Sequence, residues 1–200
     1  MIQNWLKIGT LLIALVAGAT TLFAQEEENE DYLVIDNKLF SKHSHWLSLG
    51  SGYGLYAERM DFQPNFAVDL NLKVKRHYFT LGYLYSGQNY IHESHALQVN
   101  DLHIGYGWRK ETVKTNRYFF VGPSLAMGYQ YAYTDSLGRP WDEGFIDPGI
   151  YAEYQFTYKF NYDMGLGLAG FTSLSPSYQV VGIKLLLYLS TAYIDVWNEE

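Results

Sequence analysis

Apolar and polar side chains alternate without exception along the stretch DLHIGYGWR, residues 101–109. Its even positions hold leucine, isoleucine, tyrosine and tryptophan, and its odd positions hold aspartate, histidine, two glycines and arginine. Successive side chains of a β-strand point to opposite faces. The pattern therefore predicts a strand with one large apolar face and one face of small or polar side chains.

Seven other segments carry a strand pattern of this kind, and the connections between them alternate in length. The eight predicted strands span residues 45–56, 65–74, 77–86, 97–109, 116–133, 145–159, 161–171 and 178–190. Longer connections follow the odd-numbered strands, as is typical of outer-membrane barrels with short periplasmic turns and longer outer loops. We predict an all-β fold, an eight-stranded antiparallel up-and-down transmembrane β-barrel over residues 45–197. Both termini are expected in the periplasm, with outer loops near residues 57–64, 87–96, 134–144 and 172–177.

Glycine indicates which face of the predicted strands points into the barrel. The first strand carries Gly50, Gly52 and Gly54 on one face, and the fifth carries Gly122 and Gly128 opposite its large apolar side chains. Glycine weakens a strand and has no role on a solvated strand surface, whereas the inside of an eight-stranded barrel is only wide enough for side chains to fill. We therefore expect the small, polar face inside and the large, apolar face outside against lipid, since a soluble protein with that surface would aggregate.

Aromatic side chains are predicted to form two rings around the barrel, with aliphatic side chains between them, as at the two membrane interfaces. The ring near the outer rim comprises Tyr53, Tyr85, Tyr131 and Tyr133. The ring near the inner rim comprises Phe79, Trp108, Phe119, Tyr158 and Tyr162.

Pro123 lies inside the fifth predicted strand. Its missing N–H removes a hydrogen bond from the ladder, and a closed barrel has no edge strand that could accommodate it. We expect a β-bulge there, or a register that places Pro123 near the rim.

Residues 1–24 are predicted to be a secretory signal peptide, because Lys7 precedes a short apolar run that ends in the small residue Ala24. Its removal would leave 13 basic and 21 acidic side chains, a net charge of −8, which does not favour nucleic acid. The absence of cysteine excludes disulfides and thiolate metal sites. Residues 25–44, which begin with the acidic run QEEENED, are predicted to be an acidic periplasmic segment.

The face assigned to the interior carries charges of both signs. The predicted lumen-facing polar network comprises Asp69, Lys73, Asp101, His103, Arg109, Glu153, Asp163 and Lys184, together with Asp147 and Lys159. Charges in a narrow interior with little water must be paired, so we interpret them as a structural ion-pair network that fills the barrel. A gated polar pore is the alternative, for which an eight-stranded barrel is normally too narrow.

Catalysis, metal binding and cofactors are not expected. Asp101 and His103 share a strand face, and Ser124 on the adjacent strand could complete a Ser–His–acid arrangement for cleaving acyl esters. Such a triad is defined by its geometry and not by composition. Two histidine pairs lack a nearby third ligand for a metal ion: His43 with His45, and His92 with His95.

Together these features resemble the small eight-stranded outer-membrane barrels of Gram-negative bacteria, the OmpA/OmpX-like class. The resemblance rests on the signal peptide, the alternating runs DLHIGYGWR and YFFVGPSLAMGYQY, and the tyrosine-rich rims, and it covers nearly all of residues 45–190. It implies a location in the outer membrane, contact with outer-membrane lipid, and insertion by the barrel-assembly machinery. Members of the class often end on an aromatic residue that marks the last strand for assembly. This chain ends YIDVWNEE, so either that signal is altered or the last strand extends to Trp197.

The expected function is a non-catalytic one in the outer membrane: envelope structure, surface contact through the outer loops, or assembly with an envelope protein that the sequence does not identify. Three alternatives stay open. They are a narrow porin-like channel, an outer-membrane lipid acyl-ester hydrolase, and a soluble lipid-binding barrel with an apolar lumen.

Overall fold

A computed structural model describes residues 32–35, 38–41, 44–57, 60–87, 98–134 and 140–194 of the chain. The predicted signal peptide, the acidic run 25–31, His43 and the pair His92 and His95 lie outside these residues. Within the described ranges, no helix is long and apolar enough to cross a membrane. The described residues form eleven strands: β1 (Tyr32–Ile35), β2 (Lys38–Ser41), β3 (Trp46–Tyr56), β4 (Asp61–Val74), β5 (His77–Gly87), β6 (Gln98–Glu111), β7 (Thr115–Thr134), β8 (Pro140–Asn161), β9 (Met164–Leu174), β10 (Gln179–Ser190) and β11 (Tyr193–Ile194).

Strands β3 to β10 close into an antiparallel barrel, in which each strand pairs with its neighbours in the chain and β10 pairs with β3. The predicted all-β, eight-stranded up-and-down barrel is confirmed. The largest differences from the predicted strands are in β8, which begins at Pro140 and not at 145, in β4, which begins at Asp61 and not at 65, and in β9, which spans Met164–Leu174 and not 161–171. The β8–β9 ladder continues to the pair Asn161 and Met164, so the turn falls at residues 162–163.

The two faces of the strands have the predicted orientation. Outward leucine and isoleucine side chains on four strands are 55–70% exposed: Leu81, Ile104, Leu166, Ile183 and Leu185. Charged side chains on the opposite face are at most 1% exposed: Asp69, Asp101, His103, Glu153 and Lys184. The stretch 101–109 therefore places its apolar positions outside the barrel and its polar positions inside.

Large side chains pack across the inward glycines of neighbouring strands. A Cβ atom on Gly105 would lie 2.4 Å from Cδ2 of Phe120, and one on Gly107 would lie 2.5 Å from Cε2 of Tyr118. Phe120 and Tyr118 are both fully buried. The interior is thus more aromatic than predicted, because each glycine leaves a space that a ring from the next strand fills at the close packing of protein interiors.

Pro123 lies on the outward face in the middle of β7, without a bulge. The β6–β7 register is the same on both sides of it, from His103 opposite Ser124 to Tyr106 opposite Val121. The ladder to β8 continues through Pro123 and Ile150, whereas the ladder to β6 is interrupted at this point. The expectation of a bulge or a rim position was wrong, because one missing N–H interrupts the ladder on one side only.

One end of the barrel carries the short turns at residues 75–76, 112–114 and 162–163, and we call it the short-turn end; the opposite one is the long-loop end. At the short-turn end, β1, β2 and β11 form a separate three-stranded antiparallel sheet in the order β1-β2-β11. Its Phe40 packs against Tyr162, with ring centroids 5.1 Å apart. The last barrel strand ends at Ser190, so it does not extend to Trp197, which lies outside the described residues.

Exposed aromatic side chains lie on the outward face at both ends, on three strands at each end. Those at the short-turn end are Phe79, Trp108 and Tyr158, as predicted, together with Tyr106, Phe156 and Phe160. Those at the long-loop end are Tyr53, as predicted, together with Phe62, Phe66 and Tyr129. Two predicted members differ: Tyr162 packs against the small sheet, and Phe119 is buried against Trp108. The side chains of Tyr131 and Tyr133 lie outside the described part of the structure.

Candidate functional site

The inward charges of four strands meet in one central cluster. Lys184 on β10 donates through Nζ to Glu153 Oε2 on β8 at 2.7 Å, and the same Nζ lies 3.8 Å from Asp69 Oδ2 on β4. His103 on β6 has Nε2 3.1 Å from Asp69 Oδ1 and Nδ1 3.6 Å from Asp101 Oδ1. The second oxygen of Asp101 accepts a hydrogen bond from Ser173 on β9. Lys184 thus lies close to two carboxylates of this cluster, and the His103 imidazole faces both aspartates.

An aromatic stack holds the central cluster in place. The ring of His103 lies parallel to that of Tyr151, with centroids 3.8 Å apart and planes at 4°. Tyr151 Oη donates to Glu153 Oε2 at 2.5 Å and accepts from Lys184 Nζ at 3.1 Å. Phe171 stacks on the Tyr151 ring at 6.2 Å. The stack fixes the histidine ring plane, so its nitrogen atoms stay directed at the two aspartates.

A second charged cluster lies nearer the short-turn end. Glu111 Oε2 is 3.1 Å from Arg109 Nη2, and its Oε1 accepts from Lys159 Nζ at 2.5 Å. The Arg109 guanidinium lies 4.0 Å from the ring centre of Trp46, within the range of a cation–π contact. It also donates to Tyr188 Oη at 2.8 Å. Because β6 and β10 are four strands apart in a ring of eight, this last bond crosses the barrel.

Neutral hydrogen bonds lie between the charged groups. Gln155 on β8 donates to Glu153 Oε1 at 3.0 Å and accepts from Ser48 Oγ on β3 at 3.2 Å. Asn71 on β4 donates to Ser48 Oγ at 3.4 Å and accepts from Thr80 on β5 at 2.7 Å. Side chains from opposite walls therefore bond to one another in the barrel centre.

The two clusters contain nearly equal numbers of acidic and basic groups. Four carboxylates, those of Asp69, Asp101, Glu111 and Glu153, face three permanent cations and one imidazole. A proton on His103 would bring the sum to zero. Burying an isolated ion costs roughly several kcal/mol of folding free energy, and pairing of this kind offsets that cost.

The sequence-predicted network residues are placed as follows. Asp69, Asp101, His103, Arg109, Glu153 and Lys184 are in the two clusters, together with Lys159. Lys73 is half-buried at the short-turn end, where its backbone N–H donates to His45 Nδ1 at 3.0 Å. Asp147 is half-buried near the long-loop end and accepts from the Ser177 N–H at 2.8 Å.

Asp163 is not in the lumen. It lies in the turn between β8 and β9, and its backbone carbonyl accepts from the Ser190 N–H at 2.7 Å. The sequence pattern does not mark where β8 ends, because the outward apolar positions continue to Phe160. The strand therefore extends farther than predicted and places Asp163 outside the ladder.

Sequence reasoning missed Glu111, Tyr151 and Ser173. Glu111 lies on the same face of β6 as Asp101 and Arg109. Extending the alternation by one step beyond Arg109 would therefore have identified Glu111 as an inward residue. Tyr151 shares a face with Glu153, but aromatic residues were assigned to the exterior. Ser173 follows the predicted end of its strand.

The geometry does not form a Ser–His–acid triad. Ser124 is opposite His103 in the β6–β7 register, yet its buried Oγ makes no hydrogen bond to any described residue. Both ring nitrogen atoms of His103 face carboxylates, so neither is directed at the serine as a general base requires. In the described ranges, no group of three or more His, Cys, Asp or Glu side chains is arranged to hold a metal ion.

Comparisons with known proteins identify the fold. No protein-family model matches the sequence, and no curated protein matches it. Neisserial surface protein A (NspA) is similar in structure, with a TM-score of 0.54 at 9% identity over 73% of this chain and 96% of that one. Ail, the attachment invasion locus protein of Yersinia pestis, has a TM-score of 0.50 at 9% identity over 75% of this chain and 95% of that one. The chain therefore has the fold of the small eight-stranded outer-membrane β-barrel proteins.

Proposed function

We propose that this protein is a non-catalytic barrel of the bacterial outer membrane that presents its long-loop end for contact at the cell surface. The observation that carries the proposal is the inverted arrangement of faces, with exposed leucine and isoleucine outside and paired charges inside. A band of apolar side chains between two aromatic rings is what a bilayer requires of a barrel. The same arrangement is the reverse of a soluble lipid carrier, which needs an apolar interior.

The short-turn end faces the periplasm in this proposal. Short turns are periplasmic in bacterial barrels, and longer loops are extracellular. The small sheet, which contains segments from near both chain ends, lies at the same end. Outer-membrane lipid is then the immediate surrounding of the barrel, and the barrel-assembly machinery inserts it.

The surface-contact role is supported by the hairpin of β7 and β8. Within the described residues, β6 pairs with β7 as far as Tyr129, and β9 pairs with β8 from Ile150. Among the described residues, the hairpin segments 130–134 and 140–149 pair only with one another. The hairpin therefore extends beyond β9 at the long-loop end, where Ile146 is 69% exposed. A projecting, exposed hairpin is suited to bind a partner outside the cell.

A tag experiment tests both the location and the orientation. An epitope inserted between Thr134 and Pro140 should be labelled by antibody on intact cells, because that connection joins the outer ends of β7 and β8. The matched control inserts the same epitope in the turn at 112–114, which should be labelled only after the outer membrane is permeabilised. Both variants should remain in the outer-membrane fraction and change gel mobility on heating. Recovery of untagged protein in the soluble periplasmic fraction would contradict the proposal.

A closed interior is the second expectation. The bond between Arg109 and Tyr188 and the stack of His103 on Tyr151 occupy the path that ions would need. Planar-bilayer recordings on the purified protein should therefore show no steady conductance. A stable, reproducible current from the unmodified protein would favour the narrow channel instead.

A further inference from the structure

Two positive side chains face each other on the outside of the barrel at the short-turn end. The β6–β7 register pairs Lys110 with Arg117, next to the outward pair of Trp108 and Phe119. Directly opposite residues in an antiparallel pair have Cβ atoms about 4.5–5.5 Å apart, and like charges there destabilise the sheet. Neither side chain forms an ion pair with another described residue. An anion bound between the two charges would relieve this repulsion.

The neighbouring turn adds further positive charge. Lys75 lies in the turn that joins β4 to β5, and β5 is the strand paired with β6. Lys75 has a φ of 57°, in the left-handed region that glycine or asparagine occupies with less strain. Arg76 follows it in the same two-residue turn, and both side chains are exposed. A lysine thus occupies a turn position where its backbone is strained.

Among the described residues, the acidic side chain of Glu111 does not neutralise this patch. Glu111 follows Lys110 in the chain, but its side chain is 3% exposed and faces the interior, where it binds Arg109 and Lys159. Asp163 lies in the next turn of the barrel, between β8 and β9. Lys75, Lys110 and Arg117 therefore form a basic patch on the outer surface, which we call the turn patch.

The turn patch adjoins the apolar band. The Arg117 guanidinium lies 5.6 Å from the ring centre of Phe156, an exposed member of the short-turn aromatic ring. Trp108 and Ile104 continue the same outward face of β6 toward the middle of the barrel and are both exposed. An anion at the patch thus has an apolar surface directly beside it, which an acyl chain would cover and a free ion would not.

We infer that the turn patch is a binding site for the phosphate headgroup of an anionic phospholipid in the periplasmic leaflet. The inference rests on the proposed outer-membrane location. The lipid phosphate would lie between Lys110 and Arg117 and relieve their repulsion, Lys75 would approach it from the adjacent turn, and the acyl chains would follow Trp108 and Ile104. Aromatic rings at this depth mark the level of the headgroups.

The test uses residues 25–200 refolded in phosphatidylcholine vesicles with increasing fractions of phosphatidylglycerol. Gel mobility is used to measure the thermal midpoint of unfolding at each lipid composition. The quantity compared between variants is the phosphatidylglycerol fraction at which this midpoint has risen by half of its maximal increase. A basic side chain near a lipid surface contributes about fivefold to attraction of anionic lipid, so Lys110→Gln should raise that fraction about fivefold. Lys75→Gly should also raise the half-maximal phosphatidylglycerol fraction. In pure phosphatidylcholine the same variant should have a higher thermal midpoint than the unmodified protein, because glycine relieves the backbone strain.

Charge reversal separates lipid binding from folding. Lys110→Glu places a carboxylate opposite Arg117, and such an opposite-charge pair stabilises a sheet. This variant should be at least as stable as the unmodified protein in pure phosphatidylcholine and should show no rise with phosphatidylglycerol. A rise of the original size would overturn the inference.

Further variants and additives identify the bound group. Lys114→Gln removes the same charge from the turn between β6 and β7, outside the facing pair, and it should shift the fraction less than about twofold. An equal effect of both glutamine variants would mean diffuse attraction and no site. A comparable rise caused by inorganic phosphate in pure phosphatidylcholine would overturn the assignment to lipid. A rise that appears only after residues 25–31 are deleted would identify that acidic run as the occupant and would also overturn it.

Failure of this inference is distinct from failure of the proposed function. A chain that inserts and shows heat-modifiable mobility, but whose thermal midpoint does not rise with phosphatidylglycerol, would leave the barrel assignment intact and contradict the lipid site. A chain that never inserts into vesicles would contradict the proposed function itself.

Discussion

Lys184→Met is expected to lower the free energy of unfolding by about 3–5 kcal/mol, the range found when one partner of a buried ion pair is removed. Methionine has a similar volume, so the change leaves little cavity and acts through charge. Lys184 Nζ is the cation nearest to Glu153, at 2.7 Å, and it also lies 3.8 Å from Asp69. Without it, Glu153 is left in a buried site without a counter-ion. Urea titration in phosphatidylcholine vesicles, followed by tryptophan fluorescence, measures the loss.

Two matched variants isolate the cause of that loss. Lys184→Met combined with Glu153→Gln removes both charges while keeping hydrogen-bonding groups near Tyr151, and should recover most of the lost stability. Lys114→Met makes the same substitution on an exposed turn and should change the free energy by no more than about 0.5 kcal/mol. If the double variant were as unstable as the single one, the ion pair would not be the reason for the loss.

Gly82→Ala is expected to destabilise the barrel by about 1–3 kcal/mol, the usual range for overpacking a dense core. A Cβ atom at this position would lie 2.0 Å from His103 Nε2 and 2.4 Å from Asp69 Oδ1. The added methyl group therefore enters the contact between these two side chains. Because His103 is held against Tyr151 by its ring stack, it has little room to move.

Gly170→Ala is the matched control. Gly170 faces outward on β9, and no heavy atom lies within 4 Å of the position that a Cβ atom would take. Alanine there should be neutral, or stabilising by about 0.5 kcal/mol, because it restricts the unfolded chain. Equal losses from the two alanine variants, in the same urea titration, would show that the contact between His103 and Asp69 does not depend on Gly82.

The alternation of side chains was sufficient to predict the barrel and the direction of its faces. A strand has a period of two, so a single run such as 101–109 assigns every one of its side chains once the lipid-facing side is known. This placed Asp69, Asp101, His103, Arg109, Glu153 and Lys184 inside without knowledge of any contact.

The remaining features depend on relations between strands, which alternation within one strand does not contain. Asp163 was misplaced because the end of β8 is set by its hydrogen bonds to β9. Tyr118 and Phe120 were not expected inside, because the space for them comes from glycines on β6. The facing pair of Lys110 and Arg117 follows from the register between two strands and not from the residues near either position.

The small sheet has a consequence for how the barrel stays closed. The seam where the first and last barrel strands join is the one junction made by segments far apart in the chain. Beside it, the Ser41 N–H donates to the Ala192 carbonyl at 2.7 Å, and the Thr191 N–H donates to the His45 carbonyl at 3.0 Å. These bonds tie the entry to β3 and the exit from β10 together outside the membrane-spanning ladder. Opening the barrel along this line would therefore require breaking these two hydrogen bonds in addition to the β3–β10 ladder, so the junction between the two most distant strands is held at two levels.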